Sequence, residues 1–109
     1  MATYTIFGSG SPSGVTTNNS DTSAVNLATA FYPFGGVTGW TAIGARFWLP
    51  SDSSGGTTGY KAYLWSGADW ASATQVDTAD FTGVTLGAWN SVFFPSAHAI
   101  TSGSIYWIS

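Results

Sequence analysis

The sequence predicts an all-β fold, a two-sheet antiparallel β-sandwich of jelly-roll-like form, and three observations carry that expectation. Runs with a two-residue hydrophobic period recur at roughly 10-residue intervals, as strands of a sandwich do. Clusters of Gly, Ser, Pro and Asn separate them. No window sustains a helix longer than a turn, because Gly, Ser, Thr and β-branched residues interrupt every candidate. Seven or eight short strands are expected in one domain spanning residues 1–109.

Residues 4–7 supply a first strand, followed by the turn-rich string GSGSPSG at 8–14. Residues 24–34 place Val25, Leu27, Thr29 and Phe31 on one face. Residues 41–49 repeat the pattern, with Ile43, Ala45, Phe47 and Leu49 pointing one way and Arg46 and Trp48 the other. A Gly- and Ser-rich loop at 49–59 leads to residues 60–65, where Tyr60, Ala62 and Leu64 alternate with Lys61, Tyr63 and Trp65. A helical turn is conceivable only around 68–71, and residues 73–81, 89–94 and 104–108 complete the strands. The inward positions of these runs predict a core of Leu27, Phe31, Ile43, Phe47, Leu64, Phe93 and Ile105.

Composition narrows the function. Aromatic residues make up 17% of the 109 residues and charged residues only 6%, where an ordinary soluble domain has about a quarter charged. The ions are Arg46, Lys61, Asp21, Asp52, Asp69, Asp77 and Asp80, with no Glu. So few groups suit acid–base catalysis poorly. A net charge of −3 with two cations argues against nucleic acid as a partner. No apolar run of about 18 residues is present to span a membrane as a helix. There is no cysteine, hence no disulfide and no thiolate metal site. The N-terminal string MATYTIFGSGSPSG has neither the basic nor the apolar region of a signal peptide. It fits a virion component assembled inside the cell, or an excised module with an added Met.

His98 is the only histidine, and no nucleophile motif accompanies it, so no catalytic residue is assigned. No cofactor and no metal are assigned either. Of the aspartates weighed as calcium ligands, with Asp52 in the long loop and Asp77 close to Asp80, the oxygen-rich cluster Asn18, Asn19 and Asp21 is the foremost candidate, and it also fits a plain turn. Recognition then falls to aromatic rings in loops or turns, on which a sugar can stack its C–H face. The candidates are Trp40 after a Gly-containing turn, Tyr60 at the end of the long loop, and Trp70. Trp48 and Trp65 fall opposite the apolar faces of their strands, so either could also be exposed.

Several strings resemble, in order, a bacterial and phage β-sandwich module catalogued as a domain of unknown function. They are Phe7-Gly8-Ser9, Pro12-Ser13-Gly14-Val15-Thr16, Val25-Asn26-Leu27, Phe31, Gly44-Ala45-Arg46-Phe47-Trp48, Thr58-Gly59 and Leu64-Trp65. Trp89, Val92-x-Phe94, Ala99-Ile100-Thr101, Gly103 and Tyr106 follow. The resemblance implies a jelly-roll-like fold and a non-enzymatic, adhesive or carbohydrate-associated role in surface and secreted proteins. It breaks at Ser66-Gly67-Ala68-Asp69-Trp70, where family members carry a short glycine turn before a leucine.

Together these observations predict a non-enzymatic structural or adhesive module of a phage virion, in a tail, fibre or capsid decoration. It would bind neighbouring virion or cell-surface subunits, or a host glycan, and be oligomeric or assembled on a particle. The alternative is an extracellular carbohydrate-binding accessory module of a secreted glycan-degrading enzyme.

Overall fold

The computed structural model describes residues 29–31, 39–52 and 57–109. They form six strands and one turn of 3-10 helix at Trp70–Ser72. The strands are β1 (Thr29–Phe31), β2 (Thr41–Leu49), β3 (Lys61–Ser66), β4 (Thr74–Asp80), β5 (Ala88–Ala99) and β6 (Tyr106–Ile108). A large antiparallel sheet runs β1-β6-β3-β4, and β2 pairs with β5 in a small one. The strand at 4–7, the cluster Asn18, Asn19 and Asp21, and Leu27 lie outside the described residues.

The buried core draws on both sheets. Leu49, Ala62, Leu64, Phe94 and Tyr106 come from strands, and Phe81, Val84 and Ile100 from the connections. Leu64 is completely buried, and Ala62 and Tyr60 lie on the same side, as the alternation of β3 requires. In β2, Leu49, Phe47 and Ala45 face this core as expected. The Phe47 ring stacks on Tyr60 at 5.3 Å and meets Phe81 edge-on at 5.1 Å. Such pairs contribute about 0.5–1.5 kcal/mol each beyond the area they bury.

The β2–β5 register shifts between Ala42 and Gly44, and this corrects one expected core residue. Ala42 packs against the core and Ile43 is only half-buried, because the irregularity resets the alternation at this end of β2. Gly44 lies where the backbones approach closely. A Cβ there would stand 2.2 Å from the Val92 carbonyl oxygen, so only glycine fits.

A larger correction concerns β5. Phe93 was expected inside and is 74% exposed, while its neighbour Phe94 is buried. Antiparallel partners share a face, and Asn90 and Val92 are paired with the inward Phe47 and Ala45. The even-numbered residues therefore face the core here, and Phe93 projects outward opposite the side-chain-free Gly44. The inward polar Asn90 is fully engaged. Its Oδ1 accepts from the Thr85 N–H at 2.7 Å, and its Nδ2 donates to the carbonyls of Thr85 at 3.0 Å and Ala88 at 3.1 Å. That clamp folds the turn into β5 and satisfies an amide that would otherwise be costly to bury. Of the remaining expected core residues, Ile105 is half-buried before β6 and Phe31 pairs with Tyr106 across β1–β6.

The sheets are also tied at one margin. His98 Nε2 on β5 lies 2.5 Å from Asp77 Oδ2 on β4. This hydrogen bond, with the Thr78 N–H that the same carboxylate accepts, holds Asp77 below the ordinary carboxylate range.

Candidate functional site

The alternation that buries Ala62 and Leu64 turns Tyr63 and Trp65 to the other side of β3. In β6, the buried Tyr106 and core-packed Ile108 leave Trp107 on that same outer side. β3 and β6 pair with Trp65 opposite Trp107, so two indoles 42 residues apart become cross-strand neighbours. Outward tryptophans at paired positions of adjacent strands form the base of an aromatic face.

Trp70 completes it from the turn after β3. Gly67 has φ +151°, a conformation rarely open to other residues, and a Cβ there would lie 2.9 Å from the Ala73 Cα. Its N–H donates to the Ile105 carbonyl at 3.0 Å, tying the turn to the segment before β6. Asp69 then caps the 3-10 turn, accepting from the Ser72 N–H at 3.1 Å and the Ser72 hydroxyl at 2.8 Å. The chain folds back, and the Trp70 ring meets Trp65 at 5.2 Å and 76° and Trp107 at 5.8 Å and 53°. Tyr63 extends the row, 5.8 Å from Trp65 with the rings inclined by 33°. Trp70 is 39% exposed, and the three strand aromatics are half-buried beneath and beside it.

Two indole donors are already used internally. Trp65 Nε1–H donates to the Ser109 hydroxyl at 2.9 Å, and Trp107 Nε1–H donates to the Gly67 carbonyl at 3.0 Å. Both bonds fix ring orientation and leave ring faces and edges as the surface on offer. Among the described residues, the charged groups near this face already have partners. Asp69 is engaged in the cap, and Lys61 Nζ pairs with Asp80 Oδ1 at 2.6 Å. That contact raises the Lys61 pKa, chiefly through the hydrogen bond and then the charge.

The rings expected from sequence are not gathered into one site. Trp70 joins Trp65 and Trp107 on the large sheet. Trp40, 42% exposed, stands immediately before β2 of the small sheet, where its carbonyl accepts from the Ile100 N–H at 3.0 Å. Tyr60 packs with Phe47 on the core side. Sequence reasoning missed Trp107 and Tyr63 as members of the face. The available signal was their outward parity beside inward Tyr106, Ala62 and Leu64.

Among the described residues, no group of three or more His, Cys, Asp or Glu side chains is arranged to hold a metal. His98 is engaged with Asp77, and the candidate calcium cluster falls outside these residues. No protein-family model, curated protein or solved structure matches the chain. Function must therefore be argued from the geometry of the site.

Proposed function

We propose that this chain is a non-catalytic adhesive module, a jelly-roll-like β-sandwich that docks onto a surface through the aromatic face centred on Trp70. The single observation behind this is the construction of that face. A glycine in a conformation that other residues rarely adopt and a capped turn hold an exposed indole against two cross-strand tryptophans. Trp70 contributes no residue to the buried core, so recognition gives this construction a purpose that interior packing does not. The shared core of the two sheets supports the sandwich arrangement, and the shortage of acid–base groups supports a role without catalysis.

The setting proposed is a phage virion, with the module in a tail, fibre or decoration protein touching a host glycan or a neighbouring subunit. An accessory module of a secreted glycan-degrading enzyme would use the same face on the same chemistry. The test is retention of purified Trp70→Ala, against the parent, on phage particles and on bacterial cell-wall fractions. Loss of about 2 kcal/mol or more of binding, as for an anchor residue, is expected in at least one assay with the fold intact. Parental retention in both assays would overturn the assignment.

A further inference from the structure

We infer that the Trp70 face binds a single, soluble, uncharged polysaccharide chain, in preference to a protein surface, an acidic polymer or a flat crystalline one; this rests on the adhesive role proposed above. Four features lead to that ligand class.

The first is ring inclination. Successive rings are tilted by 33°, 76° and 53°, so they cannot lie together on one plane. A crystalline polysaccharide presents a flat surface and would be met by coplanar rings. Inclined rings instead form a stepped surface, on which one chain can stack a sugar on the exposed Trp70 indole and run past the half-buried rings beside it.

The second is charge. The Lys61–Asp80 pair neutralises itself at the far end of β3, and the Asp69 carboxylate is engaged by Ser72. Among the described residues the cation on this strand, Lys61, is committed to Asp80, and the Asp69 carboxylate beside Trp70 keeps its negative charge, so a uronate, sulfate or phosphate would meet repulsion there. The third feature is the hydrogen-bonding rim. Gln75 is exposed on β4 directly opposite Trp65 in register, offering an amide donor and acceptor beside the rings. Sugar hydroxyls point outward around a ring whose axial C–H groups stack, and an amide at the margin is placed to meet them.

The fourth is size. Four side chains that largely cover one another expose on the order of 300 Å² together, judged from the area of aromatic residues. A standard protein interface takes about 800 Å² from each partner. The rings by themselves fall short of that footprint and are adequate for two or three sugar units.

Affinity electrophoresis tests this directly. The chain is run through native gels containing xyloglucan, mixed-linkage β-glucan or galactomannan as soluble neutral probes, and polygalacturonate as the acidic one. Microcrystalline cellulose and chitin serve as flat probes in a pull-down. Retardation by at least one neutral polymer is expected, with affinity unchanged within about twofold between low salt and 1 M NaCl, since no counterions are released. Trp70→Ala should weaken that binding by about 30-fold or more, the equivalent of a 2 kcal/mol anchor. Trp70→Phe, which keeps a ring, should restore much of it, and saturation-transfer NMR on the parent should place the sugar C–H protons against aromatic protons.

Binding restricted to polygalacturonate and abolished by salt would overturn the inference, as would binding restricted to the crystalline probes. If no neutral polymer retards the parent, yet Trp70→Ala loses retention on particles or cell walls, the glycan assignment fails and the adhesive role stands. If a neutral polymer binds the parent and Trp70→Ala equally, the ligand class is right and the face is wrong, which also overturns the inference.

Discussion

The outer faces of the two sheets each carry a pair of tryptophans, and they use them in opposite ways. On the small sheet, Trp48 and Trp89 are cross-strand partners meeting edge-on at 5.8 Å. The Arg46 guanidinium lies 4.4 Å above the Trp89 ring, so that π-face is already occupied by a cation. On the large sheet, Trp65 and Trp107 are also cross-strand partners, and what lies against them is Trp70, a partly exposed indole carried by a capped turn. The number of rings is therefore a poor guide to a binding face. What decides is whether a ring's neighbours use up its surface or present it.

Leu64→Ala should produce the largest effect because Leu64 is fully buried in the core that both sheets share. A loss of about 2–5 kcal/mol is expected in denaturant unfolding, with both faces failing together. If near-ultraviolet circular dichroism showed one set of tryptophans surviving, the faces would rest on separate supports. The two glycines should pull the faces apart more selectively. Gly44→Ala drives a Cβ into a backbone carbonyl between β2 and β5 and should destabilise the chain by about 3 kcal/mol, through the small sheet. Gly67→Ala strains the turn that carries Trp70 and its ties to Ile105 and Trp107. It should cost about 1–3 kcal/mol while removing adhesion, which is the signature to look for.

Acid should act at the margin between the sheets. Asp77 is held below its ordinary value of 3.8, mainly by the His98 hydrogen bond. A depressed carboxylate contributes stability that is present above its unfolded value and lost as pH falls through the folded one. Asp77→Asn should therefore be less stable than the parent at neutral pH, with the gap closing as the pH falls below 3.8, through the lowered folded-state value. Chemical unfolding across that range checks it, and a gap that widens in acid would contradict the assignment. The smallest change is expected from Arg46→Met. It removes a cation–π contact of about 0.5–2 kcal/mol, and it also removes a buried Nε that has no hydrogen-bond partner among the described residues. Stability should move by about 1 kcal/mol or less, with adhesion unchanged.

Much of the framework is legible in the residues. Thr41–Leu49 and the alternation around Leu64 follow directly from the two-residue period. β5 was misleading for a specific reason. Trp89 and Phe93 make its odd-numbered face look more apolar than one containing Asn90, yet Asn90 is the inward residue because Thr85 and Ala88 satisfy its amide. The shift at Gly44 depends on its partner strand and leaves no trace in a single run. For the site, Trp70 was accessible as a turn aromatic. Its assembly with Trp65 and Trp107 depended on which distant strands pair, and local periodicity does not encode that.

Oxidative footprinting of tryptophans, read by mass spectrometry with the chain free and bound to its surface, tests the contrast between the faces most directly. The recognition proposed here predicts protection centred on Trp70 and extending to Trp65 and Trp107, with Trp48 and Trp89 oxidised equally in both states. Protection of Trp48 and Trp89 with Trp70 unchanged would contradict it, and would move the docking face to the small sheet.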